Sequence, residues 1–427
     1  METWTVSGRI EVRHGLPELR RNLGTASAIA GARVHVSGRK KIAGTWANWG
    51  PFGDAVTDAG GHFRVRKRRD RLPRQFRVEV TLKDDAFVVY GENKNALSRI
   101  LAGWTVLGQA PGAAVIEGLL SHTGRATLKA AEHEAYRDPK STSRRPGHHE
   151  LGTMALRSKI ERAHGDAWVL FHRVHEFLRA HKVPFRRRVG LKYPHDNHLI
   201  GDRIENSYTN PFNKVCYMVA NSRKDEFDTR TLLHELMHAW AFQNSIGEWK
   251  MAWQILVPGS DNAGRFVRTF PPFHEAFARW AGLWLERSVL EVGAPPPGRP
   301  RSRQGLKDEG IDTVNEVEHF HDGWSSVFNL LTTPELDRYD FNTRGAFAVP
   351  TGAERCRAPD VSFVSVLRSF CANERRDLGW MRARDMKLRP FLRRLAASDS
   401  RFSTEHAEAY RQLQNPRSTK QPWQLLC

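Results

Sequence analysis

The sequence predicts an α+β, multidomain protein, with an all-β sandwich at the amino terminus followed by a mainly α-helical region. Three observations carry this reading. Apolar and polar residues alternate with period two through roughly the first eighty positions, as half-buried strands require. From about residue 156 onward the apolar residues recur at three- and four-residue steps, which is helical spacing. A length of 427 residues exceeds what one hydrophobic core usually organises, about 250 residues.

The strands are expected at Trp4 to Val12, Ala32 to Val36, His62 to Val65 and Phe76 to Leu82. Thr57-Asp58-Ala59-Gly60-Gly61 offers the positive-φ residues that a tight connection before the third strand needs. Between Gly91 and Glu150 the pattern weakens, and Asp138 to Gly147, charged and Pro-containing, reads as a linker. A helix is expected over Leu156 to Arg179, where Ile160, Ala163, Ala167, Leu170, Val174 and Phe177 fall near one face. Val215, Tyr217 and Val219 alternate as a short strand. After the acidic turn Asp225 to Asp228, whose charge suits a helix start, a helix runs from Thr229 to about Ser245. Another follows Pro271-Pro272, where Phe273, Ala276, Phe277, Trp280, Ala281, Trp284 and Leu285 recur at helical steps. Trp240, Trp280 and Trp284 are expected as core between these two helices. Apolar periodicity returns at Val361 to Phe370 and Phe391 to Leu395.

Gly31 to Gly38 together with Thr57 to Phe63 resembles the carboxypeptidase regulatory-like, transthyretin-like β-sandwich domains, which implies an accessory module over residues 1–95. Residues 96–150 are then a connecting segment, 151–294 carry the chemistry, and 295–427 form a mostly helical part completing a cleft.

The net charge of +19 favours encounter with anionic surfaces or polymers. The densest basic runs, Arg64 to Arg74 and Arg186 to Arg188, read as solvated loops, and no aromatic platform is interleaved with them. No nucleic-acid-reading motif is present. The four cysteines, Cys216, Cys356, Cys371 and Cys427, form no CxxC pair, so they supply neither a thiolate zinc site nor a dense disulfide framework. Cys356 and Cys371 are read equally as a bridge or as thiols. The amino terminus has no positive start followed by an apolar stretch, and Gly103 to Leu120 is too polar for a membrane span. A soluble protein is expected, with cytoplasmic and exported locations both open.

His234 and His238 lie four positions apart, so a helix stacks them on one face where both imidazoles can address one ion. Glu235 lies about 100° around, where a carboxylate can reach water at that ion without ligating it. Catalytic zinc takes three protein ligands and keeps one position open. Glu275, 275 − 238 = 37 residues downstream on the second helix, is the expected third ligand.

Asp228 to Trp240 followed by His274-Glu275-Ala276-Phe277-Ala278 resembles a gluzincin metallopeptidase. The resemblance implies a zincin-like fold and one zinc ion held by His234, His238 and Glu275. It also implies Glu235 as general base and Val215, Tyr217 and Val219 as the edge strand binding a peptide substrate. The chain departs from thermolysin-like relatives in having Arg279 where they carry an aspartate, and it lacks the amine-anchoring motif of gluzincin aminopeptidases. His319, His321 and Tyr339 are candidates for stabilising the transition state. The expected function is zinc-dependent hydrolysis of peptide bonds. The alternative is a non-catalytic, zinc-stabilised scaffold docking an anionic envelope polymer or a protein partner.

Overall fold

The computed structural model describes residues 2–91, 128–139, 147–194, 207–210, 213–218, 228–244 and 270–290, with 328, 363–371, 391, 395 and 397. Sheets lie at the amino-terminal end of the chain and helices dominate later, an α+β arrangement.

The central strand β1 (Glu2–Arg13) is twelve residues long. After it come α1 (Pro17–Leu23), β2 (Ala26–Ala28), β3 (Arg33–Arg39), β4 (Lys41–Ile42), β5 (Thr45–Trp46), β6 (Gly50–Val56), β7 (His62–Arg69) and β8 (Gln75–Thr81). Next are β9 (Phe87–Tyr90), β10 (Glu132–Arg137) and β11 (His148–Leu156). In the first sheet β1 pairs in parallel with β11 on one side and antiparallel with β7 and β2 on the other. The second sheet is antiparallel throughout, in the order β10-β8-β3-β6. Trp4, Val6, Ile10 and Val12 from β1 share one buried cluster with Val34, Val36, Phe52, Phe76, Val78 and Val80 from the second sheet. Each strand presents its alternate residues to that core.

The expected linker therefore ends at a strand: β10 and β11 lie on either side of it and join the two N-terminal sheets, so the boundary expected at residue 150 falls inside β11. β9 keeps only isolated bridges, to Lys83 and Ala130 beside β8 and β10. It pairs in parallel with β12 (Val189–Lys192) in a third sheet, β13-β14-β12-β9, whose other members are β13 (Tyr208–Thr209) and β14 (Val215–Tyr217).

The helix α2 (Lys159–Ala180) begins with a capping box in which Ser158 and Glu161 satisfy each other's backbone N–H groups. It crosses β1 closely, because a Cβ on Gly165 would meet the Val12 side chain at 2.6 Å. Phe171 stacks on Phe87 of β9 at 4.0 Å between ring centroids, tying the third sheet to the same helix. Asp166 on α2 accepts from the His14 ring at 2.6 Å and from the backbone N–H groups of Gly15 and Leu16 at 2.8 and 2.9 Å. The other His14 nitrogen meets Ser27 Oγ at 2.8 Å. Ser27, His14 and Asp166 follow the order of a hydrolase relay, but both the His14 and Asp166 side chains are wholly enclosed. No leaving group can reach that imidazole, and the set locks the β1–α1 turn onto α2.

Further helices among the described residues are α3 (Thr229–Asn244), α4 (Phe270–Leu290) and α5 (Phe363–Cys371). Asp228 caps α3, accepting from the Thr231 N–H at 2.8 Å. At the other end, the Trp240 indole donates to the Val183 carbonyl at 2.8 Å and Gln243 receives the N–H groups of Arg186 and Arg187. Of the three tryptophans expected between the helices, Trp240 packs on Phe277 of α4, whereas Trp280 stacks on Phe328 and the partly buried Trp284 on Phe363 of α5. Among the described residues no helix is long and apolar enough to cross a membrane.

Candidate metal centre

The first turns of α3 run beside the middle of α4, and the contact is set by small residues. Ala278 and Gly282 lie three and seven positions after Glu275, on its face of the helix. A Cβ on Gly282 would stand 3.1 Å from the His234 nitrogen and 3.3 Å from its Cα, so only glycine admits this approach without displacement. The ion pair Arg230–Glu286, at 2.9 Å with Glu286 buried, fixes the same two helices one turn away.

The consequence is convergence. His234 Nε2 and His238 Nε2 are 3.0 Å apart, and the two Glu275 oxygens lie 3.2 Å from His234 Nε2 and 3.3 Å from His238 Nε2. Bonds of about 2.0–2.2 Å from a tetrahedral zinc would place neighbouring ligand atoms about 3.3–3.6 Å apart, slightly wider than these separations. These three side chains form the one group of metal-capable residues found among the described residues. The donor set fits a divalent cation: two imidazoles and a carboxylate converge from two rigid helices. His234 and Glu275 remain accessible to solvent while His238 is buried.

The electrostatics agree. Burial works to raise the Glu275 pKa, but hydrogen bonds from His234 and His238 outweigh it and hold the carboxyl well below the usual range. Burial works to lower His238, and the hydrogen bond and charge of Glu275 more than offset it, leaving the ring above its ordinary value. The carboxylate is thus ionised, and its charge favours a positive charge at the His238 ring.

Glu235, next to His234 on α3, is 4% exposed. Its Oε2 accepts from Thr209 Oγ1 on β13 at 2.7 Å, and the same hydroxyl lies 2.9 Å from the Glu235 carbonyl. Its charge still reaches the centre, since it contributes to raising the pKa of His238. Behind it, Cys216 of β14 lies 3.5 Å from Thr209 Oγ1, and burial pushes its thiol far upward, so it stays protonated. Thr209 is the site residue that sequence reasoning missed: 26 positions from Glu235 and on a two-residue strand, it gives no periodic signal.

The expectation of an edge strand at Val215, Tyr217 and Val219 needs correction. β14 is covered on one side by β12 and on the other by β13, so its backbone is already paired, and among the described residues the edge is β13. Val219, His319, His321 and Tyr339 lie outside the described residues. His274 is buried against Phe242 and His238, and burial followed by the His238 charge lowers it to about 3, so it serves as a neutral wall of the site. Arg279 is exposed. Among the described residues His238 Nδ1 is buried without a hydrogen-bond partner, so no carboxylate there orients that ring from behind.

No protein-family model matches the chain, and no curated protein matches it either.

Proposed function

We propose that this protein is a zinc-dependent peptidase of the gluzincin type, with one zinc ion held by His234, His238 and Glu275 and with Glu235 as the proton carrier. The observation that supports it best is the convergence of the three ligand side chains, whose shortest separations are 3.0, 3.2 and 3.3 Å, with a buried carboxylate one residue along the same helix.

Zinc in this position supplies Lewis acidity toward a carbonyl and toward water. The chain's own residues do the rest. Thr209 holds Glu235 through Oε2, leaving Oε1 to take a proton from attacking water and to return it to the departing amine. Apolar neighbours Leu232, Leu236, Met237 and Ala239 are fully buried and keep the carboxylate in surroundings where its charge acts strongly. An extended peptide would add to the side of β13 that β14 leaves uncovered among the described residues. The multidomain organisation and a zincin-like fold for the helical part belong to the same proposal.

The test is zinc content by elemental analysis of wild type and Glu275→Ala, together with cleavage of a mixed peptide library by wild type and Glu235→Gln. About one zinc per chain, sharply weakened in Glu275→Ala, with cleavage lost but metal kept in Glu235→Gln, is the expected result. Zinc without cleavage by wild type would favour the scaffold reading, and no zinc at all would overturn the proposal.

A further inference from the structure

Five large hydrophobic side chains are exposed among the described residues, and three of them, Ile42 (64%), Trp46 (40%) and Tyr136 (52%), lie at one corner, on the two-stranded β4–β5 sheet and on β10 of the second sheet. Ile42 and Trp46 sit on the β4–β5 hairpin, which turns at Ala43 and Gly44, both at positive φ, as a tight two-residue turn requires. Residues 40 to 46 are all exposed, and a side chain at Gly44 would meet nothing within 4 Å, so the tip projects from the body. Tyr136 joins this corner through Trp49, 5.6 Å away between ring centroids.

The corner is also basic. From Arg39 to Gly53 the sequence has Arg39, Lys40 and Lys41 and no acidic residue. The Arg39 guanidinium lies over both Trp46 and Trp49, at 4.5 and 4.4 Å, and Lys41 lies 5.8 Å from the Trp46 ring. The acidic groups nearby are Glu79 and Glu134 on β8 and β10, which share the Arg77 cation at 3.4 and 3.9 Å, and Asp54 on β6, 2.6 Å from His35 Nδ1.

We propose that this hairpin docks the protein on an anionic lipid bilayer, with Ile42 and Trp46 entering the headgroup boundary and Arg39, Lys40 and Lys41 facing lipid phosphates. Charge complementarity alone would suit any polyanion, and two observations choose the lipid. One face of each indole is already covered by Arg39, which removes a stacking platform for bases or sugar rings. Among the described residues the most exposed large hydrophobic side chain is Ile42, an aliphatic beside the hairpin tip, which gains from an acyl boundary and nothing from a phosphate–sugar chain. Trp beside basic residues is the composition that interfacial anchoring favours. The docking is independent of the metal centre and of the reaction proposed for it.

The experiment is co-sedimentation of the full chain with vesicles of phosphatidylcholine alone and with about one-third phosphatidylglycerol. Binding to the anionic vesicles only, weakened about tenfold in Ile42→Ser with Trp46→Ser and similarly in Lys40→Glu with Lys41→Glu, is expected. Arg64→Glu with Arg66→Glu makes the same change in net charge away from the hairpin and should weaken binding far less. In case a hairpin variant misfolds, wild type is also mixed with brominated-chain vesicles, which should quench tryptophan fluorescence, with part of the quenching absent in Trp46→Phe. Equal loss in the control variant, no vesicle binding, or preferential binding to a thymidine oligonucleotide or an anionic polysaccharide would each overturn the proposal.

Discussion

The backbone of Gly282 lies against that of His234 so closely that a methyl group on Gly282 would stand 3.1 Å from the His234 nitrogen. The same helix carries Glu275 two turns earlier, so the distance between α3 and α4 sets whether the carboxylate reaches both imidazoles. Gly282→Ala gains roughly 1 kcal/mol of helix propensity, yet its methyl meets backbone atoms that cannot rotate aside. We expect near-unchanged stability and weaker zinc binding. Gly282→Val forces two more methyls into the contact and should cost about 2–3 kcal/mol. Thermal melts and zinc titration check both, and wild-type affinity in Gly282→Val would show that the helices have slack.

Asp166 predicts a purely structural effect. It is completely buried and accepts three hydrogen bonds, from His14, Gly15 and Leu16. Asp166→Ala leaves two backbone donors and an imidazole unsatisfied and should destabilise by about 3–5 kcal/mol, while Asp166→Asn, keeping one acceptor oxygen, should lose less. Denaturant unfolding measures the difference. Labelling of Ser27 by an organophosphate reagent in wild type would contradict the structural role, because it would require an accessible, activated hydroxyl.

The strands β1, β3, β7 and β8 were legible because each buries one face and so alternates with period two. β11 was not, and the reason is local. Its buried residues are His149 and Leu151, then Met154 and Leu156, so the inward parity switches at Gly152, which adopts positive φ beside a shift in register against β1. β9 hid for another reason: in a parallel sheet buried on both faces, Phe87-Val88-Val89 is a continuous apolar run with no alternation to find. His234, Glu235, His238 and Glu275 could be read because ligands on helices carry a spacing. Thr209 could not, since its place beside Glu235 is set by the pairing of β13 with β14. The exposed hairpin carries little signal in sequence, because its basic run is shorter than Arg64 to Arg74 and its aromatic and basic residues meet only through the fold.

Stability should fall as pH drops from about 6.5 towards 4. His164 is buried, its Nε2–H donates to the Tyr193 carbonyl at 2.7 Å, and its Nδ1 faces His133 Nε2 at 3.3 Å. Burial, reinforced by His133, lowers His164 from 6.5 to about 4. Below the ordinary imidazole pKa the unfolded chain takes up a proton that the folded protein refuses, so the stability present in full above 6.5 is lost as pH falls towards the folded value. The difference amounts to about 3 kcal/mol for this ring. His133 is also lowered by burial and acts in the same direction. Urea unfolding of wild type and His164→Gln between these pH values should differ in slope by about one proton. Parallel slopes would remove His164 from the account.

Thr209→Val isolates the hydroxyl that holds the proposed general base. Valine keeps the β-branched shape on β13 and removes the donor to Glu235 Oε2, leaving a buried carboxylate without its 2.7 Å hydrogen bond. That loss should cost about 1–3 kcal/mol of stability. His234, His238 and Glu275 are untouched, so zinc stoichiometry should stay at the wild-type value. A carboxylate no longer fixed in orientation transfers protons less efficiently, so kcat should fall roughly tenfold or more while KM changes little. Thr209→Ser keeps a hydroxyl at the same place and should recover most of the rate. A loss of rate that serine does not rescue would mean that Thr209 acts through packing alone, and an unchanged kcat in Thr209→Val would mean that the helix by itself aims Glu235.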